Sequence, residues 1–111
     1  MEPLSPSTLA WITAGVAVPA VVLVYALNGV DRRWATAVGL ISVIALMAIF
    51  GYTANVIMSF YSAVEFPPDV HTIELGVAYQ RVAAGQLAAA SMVIGLLAIG
   101  YYMEISKRGH E

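Results

Sequence analysis

Charge is what this chain has least of. Five Lys or Arg and seven Asp or Glu in 111 residues make charged residues only 11% of the sequence, against about 25% in soluble domains. Cysteine is absent altogether, which excludes disulfides, thiolate nucleophiles, iron–sulfur clusters and cysteine-held zinc. The only histidines, His71 and His110, have no His–carboxylate or His–His spacing that suits zinc, and neither lies in an uncharged run. Phosphate loops, dinucleotide glycine patterns and G-x-S-x-G elbows are also missing. A net charge of −2 is too small to argue for nucleic acid. With no nucleophile beside a base and no motif for a metal or cofactor, the expectation is a protein that is not an enzyme.

What the chain has instead is length without charge. The stretches 3–30, 34–64 and 82–103 contain no Asp, Glu, Lys or Arg. Each exceeds the about 20 apolar residues that cross a hydrocarbon layer at about 1.5 Å per residue. Hydrophobic residues make up 60% of the chain, and its mean hydropathy is +0.82. The expected fold class is therefore all-α integral membrane, one domain over 1–111 with three transmembrane helices, near 8–29, 34–64 and 69–107.

Punctuation residues set the boundaries. Pro3, Ser5, Pro6 and Ser7 suit an irregular lead-in over 1–7 with Ser7 or Thr8 as N-cap, and Asn28-Gly29 suits a left-handed helix end. Pro19 removes an amide from the first helix and predicts a kink there. The short link Val30-Asp31-Arg32-Arg33 brings the second helix back beside the first. Pro67-Pro68 stops the second helix within an outer turn over 65–69, where Asp69 can cap the third. From Val70 the pattern is amphipathic and runs on without a strong breaker. One long third helix is expected, its first third outside the bilayer, forming a long antiparallel hairpin with the second; a separate interfacial helix is the alternative. A tail over 108–111 ends the chain.

Basic residues predict the threading. Arg32, Arg33, Lys107 and Arg108 fall on one side of three crossings, and Glu2, Glu65, Asp69 and Glu74 with Arg81 on the other. This predicts a multi-pass protein of the cell membrane, N-terminus outside and C-terminus cytoplasmic. Val24-Tyr25-Ala26 has the small-residue character of a signal cleavage site, but no basic residue precedes the segment, so the first helix is expected to be retained.

Helices associate in lipid where small side chains let backbones approach. The third helix carries such a stripe: Ala84, Ala88, Ser91, Gly95 and Ala98. The second offers Ala35, Gly39 and Ser42, then Ala48, Gly51, Asn55 and Ser59. These are the expected packing residues, within the chain or between chains. Asn55, an amide inside an uncharged run, is expected to face another helix. Arg81, Trp34, Arg32 and Arg33 are expected to touch lipid or a partner, with Arg81 also forming a weak surface pair with Glu74. The uncharged spans lack the ionisable group that proton- or cation-coupled transport uses.

The expected function is therefore helix packing, as an accessory or structural subunit of a larger membrane complex such as a respiratory or electron-transfer assembly. Its expected partners are lipids and other membrane subunits or copies of itself, and no cofactor is expected. A self-assembling helical hairpin, as in a pilin-like surface filament or a lipid-associated capsid, is the alternative. A small oligomeric transporter or channel is a third reading, with Asn55, Thr53, Ser59 and Gln86 as its only candidate lining.

Overall fold

A computed structural model describes residues 4–63 and 70–109, with backbone only at 108 and 109. All regular structure in these residues is helical: α1 (Pro6–Asn28), α2 (Arg32–Ala63) and α3 (Val70–Gly109). Each is long and apolar enough to cross a membrane. The expected outer turn over 65–69 lies outside the described residues.

Local chemistry explains where the helices start. Ser5, not Ser7 or Thr8, is the N-cap of α1: its backbone is extended (φ −68°, ψ 157°) and its Oγ accepts from Thr8 N at 3.2 Å. Proline at the first helical position, here Pro6, suits this start because its missing N–H is an orphan there anyway. Asp31 caps α2, accepting Arg33 N at 3.1 Å through its carboxylate and Ala35 N at 3.0 Å through its carbonyl. The second helix accordingly begins at Arg32, two residues before the uncharged run.

Between them the chain reverses without a left-handed glycine. Gly29 stays right-handed (φ −91°, ψ −7°), contrary to the expected cap conformation. Leu27 O gathers Val30 N at 3.0 Å and Asp31 N at 2.7 Å instead. The first helix runs on through Pro19. The third is one continuous helix of 40 residues, so its amphipathic start is not a separate element.

The three helices pack side by side into a rod of 65 × 23 × 17 Å, every pair in contact. As residue numbers rise along α2 they fall along α3: Gly39 meets Leu97, Thr53 meets Gln86, and Tyr61 meets Gln80. Two apolar clusters form the core. One joins Leu9, Val56 and Tyr79; the other joins Ala20, Val24 and Val93, with Val38 and Leu97 against it. Gly39 is a close approach of α2 to α3, since a Cβ there would stand 2.7 Å from Leu97 Cδ1.

Candidate functional site

Between the two apolar clusters sits a polar clamp. Gln86 of α3 is fully buried, as is Thr53 of α2, and Thr13 of α1 is 8% exposed. Gln86 Nε2 donates to Thr53 Oγ1 at 3.0 Å and to Thr13 Oγ1 at 3.2 Å, so one amide ties three helices together. Each threonine hydroxyl spends its own proton inside its helix, Thr13 on Leu9 O at 2.7 Å and Thr53 on Ile49 O at 3.0 Å. That leaves a lone pair on each hydroxyl facing the amide, and both amide hydrogens are used. Gln86 Oε1 is buried with no donor among the described residues.

A tyrosine lock holds the start of α1. Tyr79 Oη donates to Leu4 O at 2.7 Å, and Leu4 N donates to Tyr52 Oη at 3.1 Å. Phe60 lies between Tyr61 and Tyr79, with ring centroids 5.5 and 6.4 Å away. A Cβ on Gly76 would meet Tyr61 Oη at 2.7 Å, so glycine admits that ring.

At the opposite end, the turn from α1 to α2 and the end of α3 enclose a groove of about 580 Å³. Arg32 lies across it, paired through Nη1 with Glu104 and stacked on Tyr101 at 4.4 Å from the ring centroid. Asn28 Nδ2 donates to Leu96 O at 3.0 Å. Its amide rests against Gly100, where a Cβ would stand 2.7 Å from Asn28 Oδ1. Lys107 lines the same groove. Asn28 Oδ1 and Arg32 Nε are buried without partners among the described residues.

The expected packing residues divide into two groups. Ala35 and Gly39 are buried and Ser42 is half-buried, all facing the other helices. Ala48, Gly51, Asn55 and Ser59 face outward, as do Ala84, Ala88, Ser91 and Ala98, with Gly95 half-buried. The intramolecular seam of α3 instead uses Tyr79, Gln86, Ala90, Val93 and Gly100. At about 100° per residue the small-residue stripe lies about 150° round the helix from that seam. A Cβ on Gly51 or Gly95 would meet nothing within 4 Å. The expectation that Asn55 faces another helix is corrected within this chain: its side chain is exposed and makes no hydrogen bond.

Arg33, Trp34 and Arg81 are exposed, whereas Arg32 is committed to Glu104 and Tyr101. The expected Glu74–Arg81 pair does not form. Seven residues separate the two by about 10 Å along the axis, and helix neighbours pair at three or four. Thr53 and Gln86, considered as channel lining, are internal clamp residues with no exposed surface. Among the described residues no three His, Cys, Asp or Glu side chains gather as metal ligands. Comparison with known proteins finds no matching family model, no matching curated protein and no matching solved structure.

Proposed function

We propose that this chain is a small, non-catalytic integral-membrane subunit that works by packing its helices against other membrane subunits. In this reading all three helices cross the bilayer and α2 with α3 forms one long antiparallel hairpin. The Gly39–Leu97 and Thr53–Gln86 contacts support the hairpin. At about 1.5 Å per residue the 40-residue α3 is about 60 Å long against a hydrocarbon layer of about 30 Å, so in this reading its start stands outside the lipid. The basic ends put Arg32, Arg33 and Lys107 in the cytoplasm and the start of α3 outside.

One observation carries the reading. The chain completes its own three-helix seam and leaves a second, unpartnered stripe of Ala84, Ala88, Ser91 and Ala98 on the far face of α3. Exposed Leu87 and Ile94 wall that stripe on one side, Met92 and Ile99 on the other. A shallow channel between bulky residues is the shape a neighbouring helix fills in lipid, where close van der Waals contact drives association. Ala48 and Gly51 form a separate small outward surface on α2. Asn55 needs no protein partner here. The Thr53–Gln86 contact sets it about 5 Å short of the level of Arg81, which in this reading is near the outer headgroups.

Native mass spectrometry from mild detergent tests the proposal. Heteromers with other membrane subunits are expected, and Ala88→Leu with Ser91→Leu should remove them while leaving the helical signal intact. A chain that stays monomeric, or whose complexes ignore that double change, overturns it. Homo-oligomers lost on the same change would favour the self-assembling alternative.

A further inference from the structure

We propose that the groove beside the α1–α2 turn binds the headgroup of an anionic phospholipid that carries a free hydroxyl, of the glycerol or inositol type. The inference rests on the bilayer reading above, which puts the groove at the inner boundary of the hydrocarbon. It does not depend on which subunits the outward stripe meets.

Three features converge on that chemistry. The first is charge: among the described lining residues Arg32 and Lys107 stand against Glu104, an excess of one positive charge. The second is a positioned donor. Arg32 is held by Glu104 and by the Tyr101 ring, yet its Nε–H is buried without an acceptor. A phosphodiester oxygen there completes the guanidinium with a charge-assisted bond. Lys107 Nζ, a mobile point charge, serves the second phosphate oxygen.

The third feature is a positioned acceptor. Asn28 cannot turn its amide over without losing the bond from Nδ2 to Leu96 O, so Oδ1 is the atom left buried and unserved. An ionised phosphodiester has no proton to give it. A hydroxyl on the same headgroup does. Gly100, having no Cβ, leaves the room that this amide occupies. Leu96, Ile99 and Met103 supply apolar wall for the start of the acyl chains. A choline headgroup keeps the phosphodiester but has no hydroxyl for Asn28 and brings a fixed cation beside Lys107, so it loses the Asn28 contact and the net attraction.

The full chain in detergent, titrated with phosphatidylglycerol, phosphatidylmethanol, phosphatidylcholine or soluble glycerol phosphate, tests this by native mass spectrometry. Phosphatidylglycerol should be retained at least about tenfold more tightly than phosphatidylcholine, about the size of one net hydrogen bond. Phosphatidylmethanol, anionic without a hydroxyl, should fall between them. Lys107→Gln, at an exposed position that cannot disturb the core, should weaken both anionic lipids. Asn28→Leu should weaken phosphatidylglycerol alone. Equal retention of phosphatidylcholine overturns the anion site, and equal retention of phosphatidylmethanol overturns the hydroxyl contact. Soluble glycerol phosphate binding as tightly as the lipid overturns the lipid as occupant. Indifference of phosphatidylglycerol to both substitutions overturns the site itself.

Discussion

Replacing Gln86 by methionine should cost this protein almost nothing, although Gln86 is the one side chain bonded to all three helices. Its amide donates two hydrogen bonds, to Thr13 and Thr53. Interhelical hydrogen bonds in a bilayer average about 0.6 kcal/mol, so the pair is worth about 1.2 kcal/mol. Against this stands Gln86 Oε1, a buried acceptor with no donor, which costs about 1–3 kcal/mol. Methionine has the same unbranched length, and both threonine hydroxyls keep their bonds to Leu9 O and Ile49 O. The two terms give Gln86→Met a stability from unchanged to about 2 kcal/mol above wild type. Gln86→Ala removes the same bonds and opens a cavity, so it should cost about 2–4 kcal/mol. Reversible unfolding in mixed micelles, followed by Trp11 and Trp34 fluorescence, measures both. A loss above about 3 kcal/mol for Gln86→Met would refute the reasoning, because the carbonyl oxygen would then have to be satisfied and the bonds far stronger than assigned.

Gly39→Val should cost about 1–3 kcal/mol in the same titration by driving a side chain into Leu97. Gly51→Val, facing open space, should stay within about 0.5 kcal/mol of wild type, and equal effects at the two sites would sink the assigned seam. Tyr79→Phe removes the donor to Leu4 O, so amide exchange should accelerate at residues 4–9 and leave the centre of α3 unchanged. Because the chain has no cysteine, single Ser62→Cys and Ser106→Cys variants can be labelled cleanly with an impermeant maleimide. Reaction from opposite faces of sealed vesicles is expected; reaction of both from one face contradicts the proposed threading.

How far the sequence could be read depended on the range of the interaction involved. Helix number and approximate ends follow from uncharged runs and from Asp31 and Pro6, which act within one turn. The packing face of α3 did not follow, because two sets of residues on it satisfy a three-and-four spacing. Small side chains at 84, 88, 91 and 98 advertise close approach, yet the chain packs through Tyr79, Gln86, Ala90 and Val93. Burying the larger apolar side chains and pairing the Gln86 amide outweighed smallness as a guide to the inner face. Polarity in an uncharged run was the available signal for the clamp: Thr13, Thr53 and Gln86 all carry it. Asn55 carries it too and points outward, so the signal does not discriminate.

The groove illustrates the same limit. Arg32 and Glu104 stand 72 residues apart in the sequence, at the start of α2 and near the end of α3, and no local pattern pairs them. Gly100 reads as one more small residue until Asn28 is found resting on it. Composition and charge spacing by themselves determined three long apolar helices, because hydropathy and helix caps act over a few neighbouring residues. Only the tertiary structure decided which faces meet, which polar atoms are served and which are left over. Those outcomes depend on the angle and register at which separate helices dock, and one step of about 100° on a helix exchanges an inner residue for an outer one.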